Sequence, residues 1–562
     1  MNQETKQCQN CKKDFTIELE DFNFYEKMKV PAPTFCPECR LFRRLIWRNE
    51  RIFFRRPESL TGKEVFSGFP PQAKITVYDI EYWKSDAWDA LDYGKEYDFS
   101  KSFFEQFKEL IYQVPWPSRA ISNLVNSDYS NQADYLKNTY LVHNSGYVEN
   151  SAYVVRGHNT KDSFDILESD EVELAYDSTF FTGGFKIFYC FDCVDCHDIW
   201  LSKDLHGCSN CVGCAGLRGK NYCIFNKQYT KEEYAIELEK LNLNTYSGLE
   251  TARKKAYEIW QKTPVKYYHG KLLVNCVADN AQNSKNCKES WGIRDSQDSK
   301  FCQNVYECTD SYDYSVWGEK ASQMYECLTC GSQVENMKFC FDCWPGSKDL
   351  EYCMGCRSSS DLFGCVGLKR KQYCVFNKQY TKEEYEKLVA RIKDQMIQVP
   401  FTDSRGRVYK YGEFFPQEFS PFAYNESHLQ DLFPKTKEQA EELGFFLREQ
   451  PVKEFKITLQ SSELPDSIDE VQDDILNQVV SCGNCGKAYK IIATELQFLR
   501  QMKLPLPRLC VECRFQARNK FINSPFFYNR NCAKCQTAIR TTYAPDRKEI
   551  VYCESCYNSE VS

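Results

Sequence analysis

Only six histidines occur in 562 residues, so thiolate is the main metal-ligating chemistry this chain can offer. No apolar run approaches the ~20 residues of a membrane span, and the opening MNQETK carries no apolar signal core. Net charge is only −7, which excludes a chain basic throughout and confines any nucleic-acid contact to a local patch. Catalytic signatures are missing as well: no GxSxG, no P-loop, no HExxH, and no carboxylates paired by their spacing. Without a leader or a span, the chain is expected in the cytoplasm. Its 31 cysteines then read as metal ligands or buried thiols, not as a disulfide framework.

What is present is repetition. Cys8, Cys11, Cys36 and Cys39 recur 474 positions later as Cys482, Cys485, Cys510 and Cys513, so one C-x2-C-x24-C-x2-C module is used twice. Cys532, Cys535, Cys553 and Cys556 form a further C-x2-C-x17-C-x2-C module. Its counterparts at the same offset are Glu58, Thr61, Asp79 and Tyr82, which predicts a degenerate ribbon that keeps its hairpin and has lost its metal. Two residues between cysteines let both sulfurs meet one tetrahedral ion, and four cysteines leave no position open for a substrate. The twelve ligands predict three structural zinc ions. Metal binding would supply the folding energy of blocks too short to bury much surface.

C-x2-C, an aromatic four residues on, an acidic-aromatic stretch, then proline and C-x2-C-R resembles the "probable zinc-ribbon" family of bacterial proteins. Residues 482–556 are similar to that family's tandem of ribbons, with Gln536 where glycine usually stands. The whole chain resembles large cysteine-rich proteins of small uncultivated bacteria, some labelled CaiB/BaiF CoA-transferases. That chemistry needs a carboxylate nucleophile on a Rossmann-type scaffold, and no glycine-rich strand-turn-helix is visible. The resemblance implies zinc-ribbon ends and brings no established activity.

Residues 40–56, RLFRRLIWRNERIFFRR, predict an amphipathic helix leaving the first knuckle as in a treble clef. Arg40, Arg44, Arg48, Arg51 and Arg55 would form an outward ridge able to meet phosphates, with Trp47 free to stack on a base. The plainer alternative is that these arginines pair with acidic groups elsewhere in the chain. The C-terminal copy is thinner, with Arg508, Arg514, Arg518, Lys520 and Arg530.

The middle repeats too. GCAGLRGKNYCIFNKQYTKEEY at 213 matches GCVGLKRKQYCVFNKQYTKEEY at 364, and each copy leads into a helix capped by Thr230 or Thr381. Short strand-like steps of 13, 13 and 12 residues in the second copy suggest a stacked β-solenoid in which two steps make one coil. Cys190, Cys193, Cys196, Cys208, Cys211 and Cys214 have iron–sulfur-like spacing. The second copy breaks that spacing, and i and i+3 of a strand face opposite ways, so buried thiols are preferred and a cluster is disfavoured. A further zinc site from Cys208, Cys211 and His206 or His197 stays open.

The expected fold is multidomain α+β, mostly β, with terminal zinc-ribbon or treble-clef modules flanking two β-rich, solenoid-like modules joined by short helices. The expected segments are a zinc finger with basic helix (1–56), a metal-free ribbon (57–98), a linker helix (99–119) and repeat A (120–229). There follow a helical linker (230–269), repeat B (270–380), a helix (381–400) and an extended aromatic, Pro-rich and acidic segment (401–479). A second zinc finger (480–530) and a ribbon (531–562) complete the chain. The reading is a zinc-binding, non-enzymatic scaffold that engages nucleic acid or a nucleoprotein, with no membrane and no small-molecule substrate. Its rivals are a protein–protein scaffold, and a thiol or Fe–S redox or carbohydrate-active enzyme.

Overall fold

The computed structural model describes residues 3–449 and 455–561. The chain divides into two compact units, Met1–Arg119 with Tyr268–Glu449 and Ser524–Phe527, and Ala120–Tyr267 with Gln450–Asn523 and Tyr528–Ser562. Each four-cysteine finger therefore shares a unit with the repeat farther from it in sequence: the N-terminal finger with repeat B, the C-terminal finger with repeat A.

Each repeat is one sheet, ten strands in repeat A and twelve in repeat B, parallel except for the last strand of each. Strand partners in repeat A lie twelve residues apart throughout, as in Ile121↔Ala133, Tyr140↔Ala152, Phe191↔Lys203 and Ser209↔Asn221. One step, not two, thus separates stacked rungs. The geometry comes from a left-handed residue at every third position, for example Tyr189, Asp192, Asp195, Asp198, Leu201 and Asp204. Such a residue turns the chain by a corner, so i and i+3 both face inward instead of alternating. Cys190, Cys193, Cys196 and Ile199 of one rung, and Ser202, Leu205, Cys208 and Cys211 of the next, are all at most 3 % exposed. The expectation that i and i+3 face opposite ways fails for that reason.

Repeat B varies the step. Gly270↔Ala281 is eleven residues, Trp291↔Gln303 twelve, and Tyr314↔Cys327 and Met324↔Met337 thirteen. Extra residues sit at one corner, where Val316 with Trp317, and later Ser332 with Gln333, are consecutively left-handed. These unequal steps explain why the two copies drift in register along the sequence.

Serine and cysteine occupy inward positions interchangeably because both satisfy the same backbone groups. Ser163 Oγ donates to the Lys161 carbonyl at 2.7 Å and accepts the Ala175 N–H at 3.0 Å. Cys190 Sγ likewise donates to Phe188 O at 3.1 Å and accepts Ser202 N–H at 3.4 Å. A buried N–H without its acceptor costs about 1–3 kcal/mol. Ser163→Ala is expected to lower stability by about that much, and Ser163→Cys by less; chemical denaturation of the two variants tests the difference.

The last rungs are closed. Asn226 and Asn377 each accept and donate to one residue's backbone in the preceding rung, Ala215 and Val366 respectively. Strands Lys227–Gln228 and Lys378–Gln379 then fold back antiparallel over the edge. Thr230 and Thr381 cap the following helices in full capping boxes, as expected from sequence. In the N-terminal finger's unit, the segment after 400 is largely buried: Phe414, Phe415, Phe419 and Tyr424 are fully covered.

Candidate metal centres and the helices they anchor

Four sulfurs converge in each of three places: Cys8, Cys11, Cys36 and Cys39; Cys482, Cys485, Cys510 and Cys513; Cys532, Cys535, Cys553 and Cys556. Within each group all ligand atoms lie within 4.8 Å of one another, so each group could hold a metal ion. The two finger copies agree in detail. The Cys36 and Cys510 N–H groups donate to Cys8 Sγ at 3.3 Å and Cys482 Sγ at 3.2 Å, while Asn10 and Asn484 donate to Cys39 Sγ at 3.4 Å and Cys513 Sγ at 3.3 Å. N–H bonds of this kind stabilise thiolate over thiol. Burial opposes ionisation of Cys482 and Cys532, yet the backbone bonds around them bring both thiols down to about 6.

Burial drives Cys190 and Cys374 up to about 12. Among the described residues they join no metal-holding group, and neither do Cys208, Cys211, His206 and His197. Cys208 and Cys211 point into the rung interior, fully buried, whereas the His206 side chain is 44 % exposed.

The degenerate ribbon keeps its hairpin without thiols. Strands Phe54–Pro57 and Glu64–Ser67 pair like Tyr528–Asn531 and Ala538–Thr541. Glu58 N–H donates to Lys63 O at 2.9 Å just as Cys532 N–H donates to Thr537 O at 2.9 Å. The Glu58 carboxylate then accepts the Leu60 N–H at 2.8 Å and the Thr61 N–H at 2.5 Å, bracing the knuckle that an ion would otherwise hold.

Cys36 and Cys510 are also the N-cap residues of the helices Pro37–Leu45 and Val511–Asn519. Each of these two four-cysteine groups thereby stands at the start of a helix that carries arginines into its own unit. The helix expected over 40–56 ends at Leu45, and of the predicted ridge Arg40 and Arg44 lie on it and face inward. Arg40 pairs with Asp313 at 2.9 Å, and Arg44 with Asp313 at 3.2 Å and Glu326 at 3.6 Å. Arg43 bridges Glu326 at 2.7 Å and Glu413 at 2.8 Å. Arg48 and Arg51 follow the helix and pair with Glu50 and Asp431. Arg55 lies in a strand, exposed, paired with Glu64. Trp47 is 1 % exposed and packs on Phe341 and Phe415, so no face is open to a base.

The C-terminal unit repeats this latch. Arg514 and Arg518, 474 positions after Arg40 and Arg44, pair with Asp165 at 2.6 and 2.9 Å. Arg514 also meets Glu495 at 2.7 Å, and Arg518 meets Asp177 at 2.6 Å. Asp165 and Asp313 occupy equivalent left-handed corners of repeats A and B, as do Asp177 and Glu326. Of the remaining cations in this copy, Arg508 donates to the Ser461 and Pro465 carbonyls, Arg530 to the Ala544 carbonyl, and Lys520 is exposed. Sequence reasoning missed the acidic half because corner carboxylates look like ordinary turn residues.

No family model matches the chain, and no curated protein matches it. Among solved structures, one from Desulfovibrio desulfuricans G20, described as a "putative acetyltransferase", aligns at 12 % identity over 51 % of this chain and 77 % of that one. Its TM-score is 0.10, too low to carry an argument.

Proposed function

We propose that this chain is a non-enzymatic zinc scaffold whose fingers brace two rigid, four-sided β-solenoids that present a surface to a protein partner. The observation that carries the reading is the latch: in both units the arginines of the helix after the knuckle, Arg40, Arg43 and Arg44 in one and Arg514 and Arg518 in the other, are held by carboxylates of the repeat. They act as internal struts, which favours a protein partner over nucleic acid. Zinc suits sets of four cysteines with no open coordination position, and it would supply structural cross-linking with no redox chemistry. A reducing, cytoplasmic setting agrees with 31 cysteines that are all free of disulfides. No helix among the described residues is long and apolar enough to cross a membrane.

The test has two arms. Elemental analysis should find three zinc ions per chain in colourless protein; visible absorption from iron would overturn the metal assignment. Titration with unrelated DNA and RNA at low salt should show no binding, since nonspecific contacts rest on free cations. Salt-dependent binding that survives in the folded protein would restore the nucleic-acid reading.

A further inference from the structure

The two ends of each repeat are treated differently. The last rung is folded over by its hairpin, whereas the first rung of repeat B, strand Gly270–Val274, stands at the bare edge of the twelve-stranded sheet. Later rungs show what that edge lacks. Corner N–H groups donate to carbonyls of the preceding rung, as Asp295 does to Gln282 and Asp298 to Lys285. Among the described residues no rung of the sheet precedes Gly270–Val274, so the corner at Leu272 lies at the open end of the stack.

Leu272 is also an anomaly in side chain and backbone. Among four leucines held in the left-handed corner conformation, Leu141, Leu174 and Leu201 are at least partly covered, while Leu272 is 73 % exposed. Val274 beside it is 58 % exposed. A strained, bare leucine on an unpaired edge is a template for another chain unless something covers it.

We propose that this first rung docks head to head on the same rung of a second copy of the chain. The geometry selects the occupant. An ordinary extended strand cannot follow a left-handed corner every third residue, so only another such rung can match the edge along its length. Repeat A's first rung, Ile121–Val125, shares the corner geometry but carries Asn123 where Leu272 stands, so the apolar match is to a second Gly270–Val274. The far end of each repeat is closed by a hairpin, which excludes head-to-tail stacking. Two first rungs related by a two-fold axis run antiparallel. Centred on Leu272, that pairing sets leucine against leucine and Gly270, without a side chain, opposite Val274.

A single rung is a small interface, so association should be concentration-dependent between about 1 and 100 μM. Sedimentation velocity of the full chain should show a monomer–dimer shift across that range. Leu272→Lys/Val274→Lys, at exposed positions, should weaken it more than about tenfold by setting like charges together. Metal content and melting temperature should not change. Val125→Lys, on the bare edge strand of repeat A, should leave the dimer intact. A concentration-independent monomer, an association that the double variant retains, or a dimer lost in Val125→Lys would each overturn the proposal.

Discussion

Cys510→Ser should reduce the bound metal from three ions to two per chain and loosen far more than the finger itself. Cys510 is both a ligand and the N-cap of the helix that carries Arg514 and Arg518. Those two arginines are the partners of Asp165, which is fully buried. Losing the ion frees the helix start, and the buried carboxylate then loses its compensation. Metal binding is worth roughly 10–16 kcal/mol in isolated zinc-finger peptides, so the finger should not hold its shape without it. Native mass spectrometry reads the stoichiometry. Hydrogen exchange should show the helix Val511–Asn519 and the corners at Asp165 and Asp177 losing protection together. Protection that persists after chelation would show that the metal is dispensable to the fold.

Asp165→Asn should destabilise the C-terminal unit by about 1.5–3 kcal/mol, because Arg514 and Arg518 lose the buried carboxylate they share and keep only Glu495 and Asp177. Both Arg514 and Arg518 are about 5 % exposed at their side chains and have no route to water without local opening. Asp313→Asn should do the same to the other unit through Arg40 and Arg44, which are 2 % and 1 % exposed. Replacing acid and arginines together with apolar residues of similar volume should recover much of the loss, since a dry pair repays its own desolvation poorly. Chemical denaturation of the single and combined variants separates these outcomes. Single variants with near-wild-type stability would show that the latch is incidental.

Conserving side chains across the two units tells the same story in residues rather than in energies. Phe24 stacks on Tyr312 at 3.9 Å, and Phe498, 474 positions later, packs on Phe164 at 5.0 Å. Finger and repeat therefore meet through matched aromatic and ionic contacts in both units.

The knuckles, the two finger copies and the thiol-free ribbon were decided by the sequence alone, because ligand spacing and hairpin pairing are local properties of a few dozen residues. The rung period was overlooked there, although Asn, Asp and Gly, which tolerate a left-handed backbone, recur at every third position, as in Asp192, Asp195 and Asp198; corners of Tyr, Glu and Leu, which stacking enforces, interrupt that signal. Which way the arginines face was settled only by tertiary structure. Their carboxylate partners lie some 270 to 350 residues away in the chain, at Asp313 and Asp165. A helical wheel can define a charged face, but it carries no information on whether water or a buried acid stands opposite.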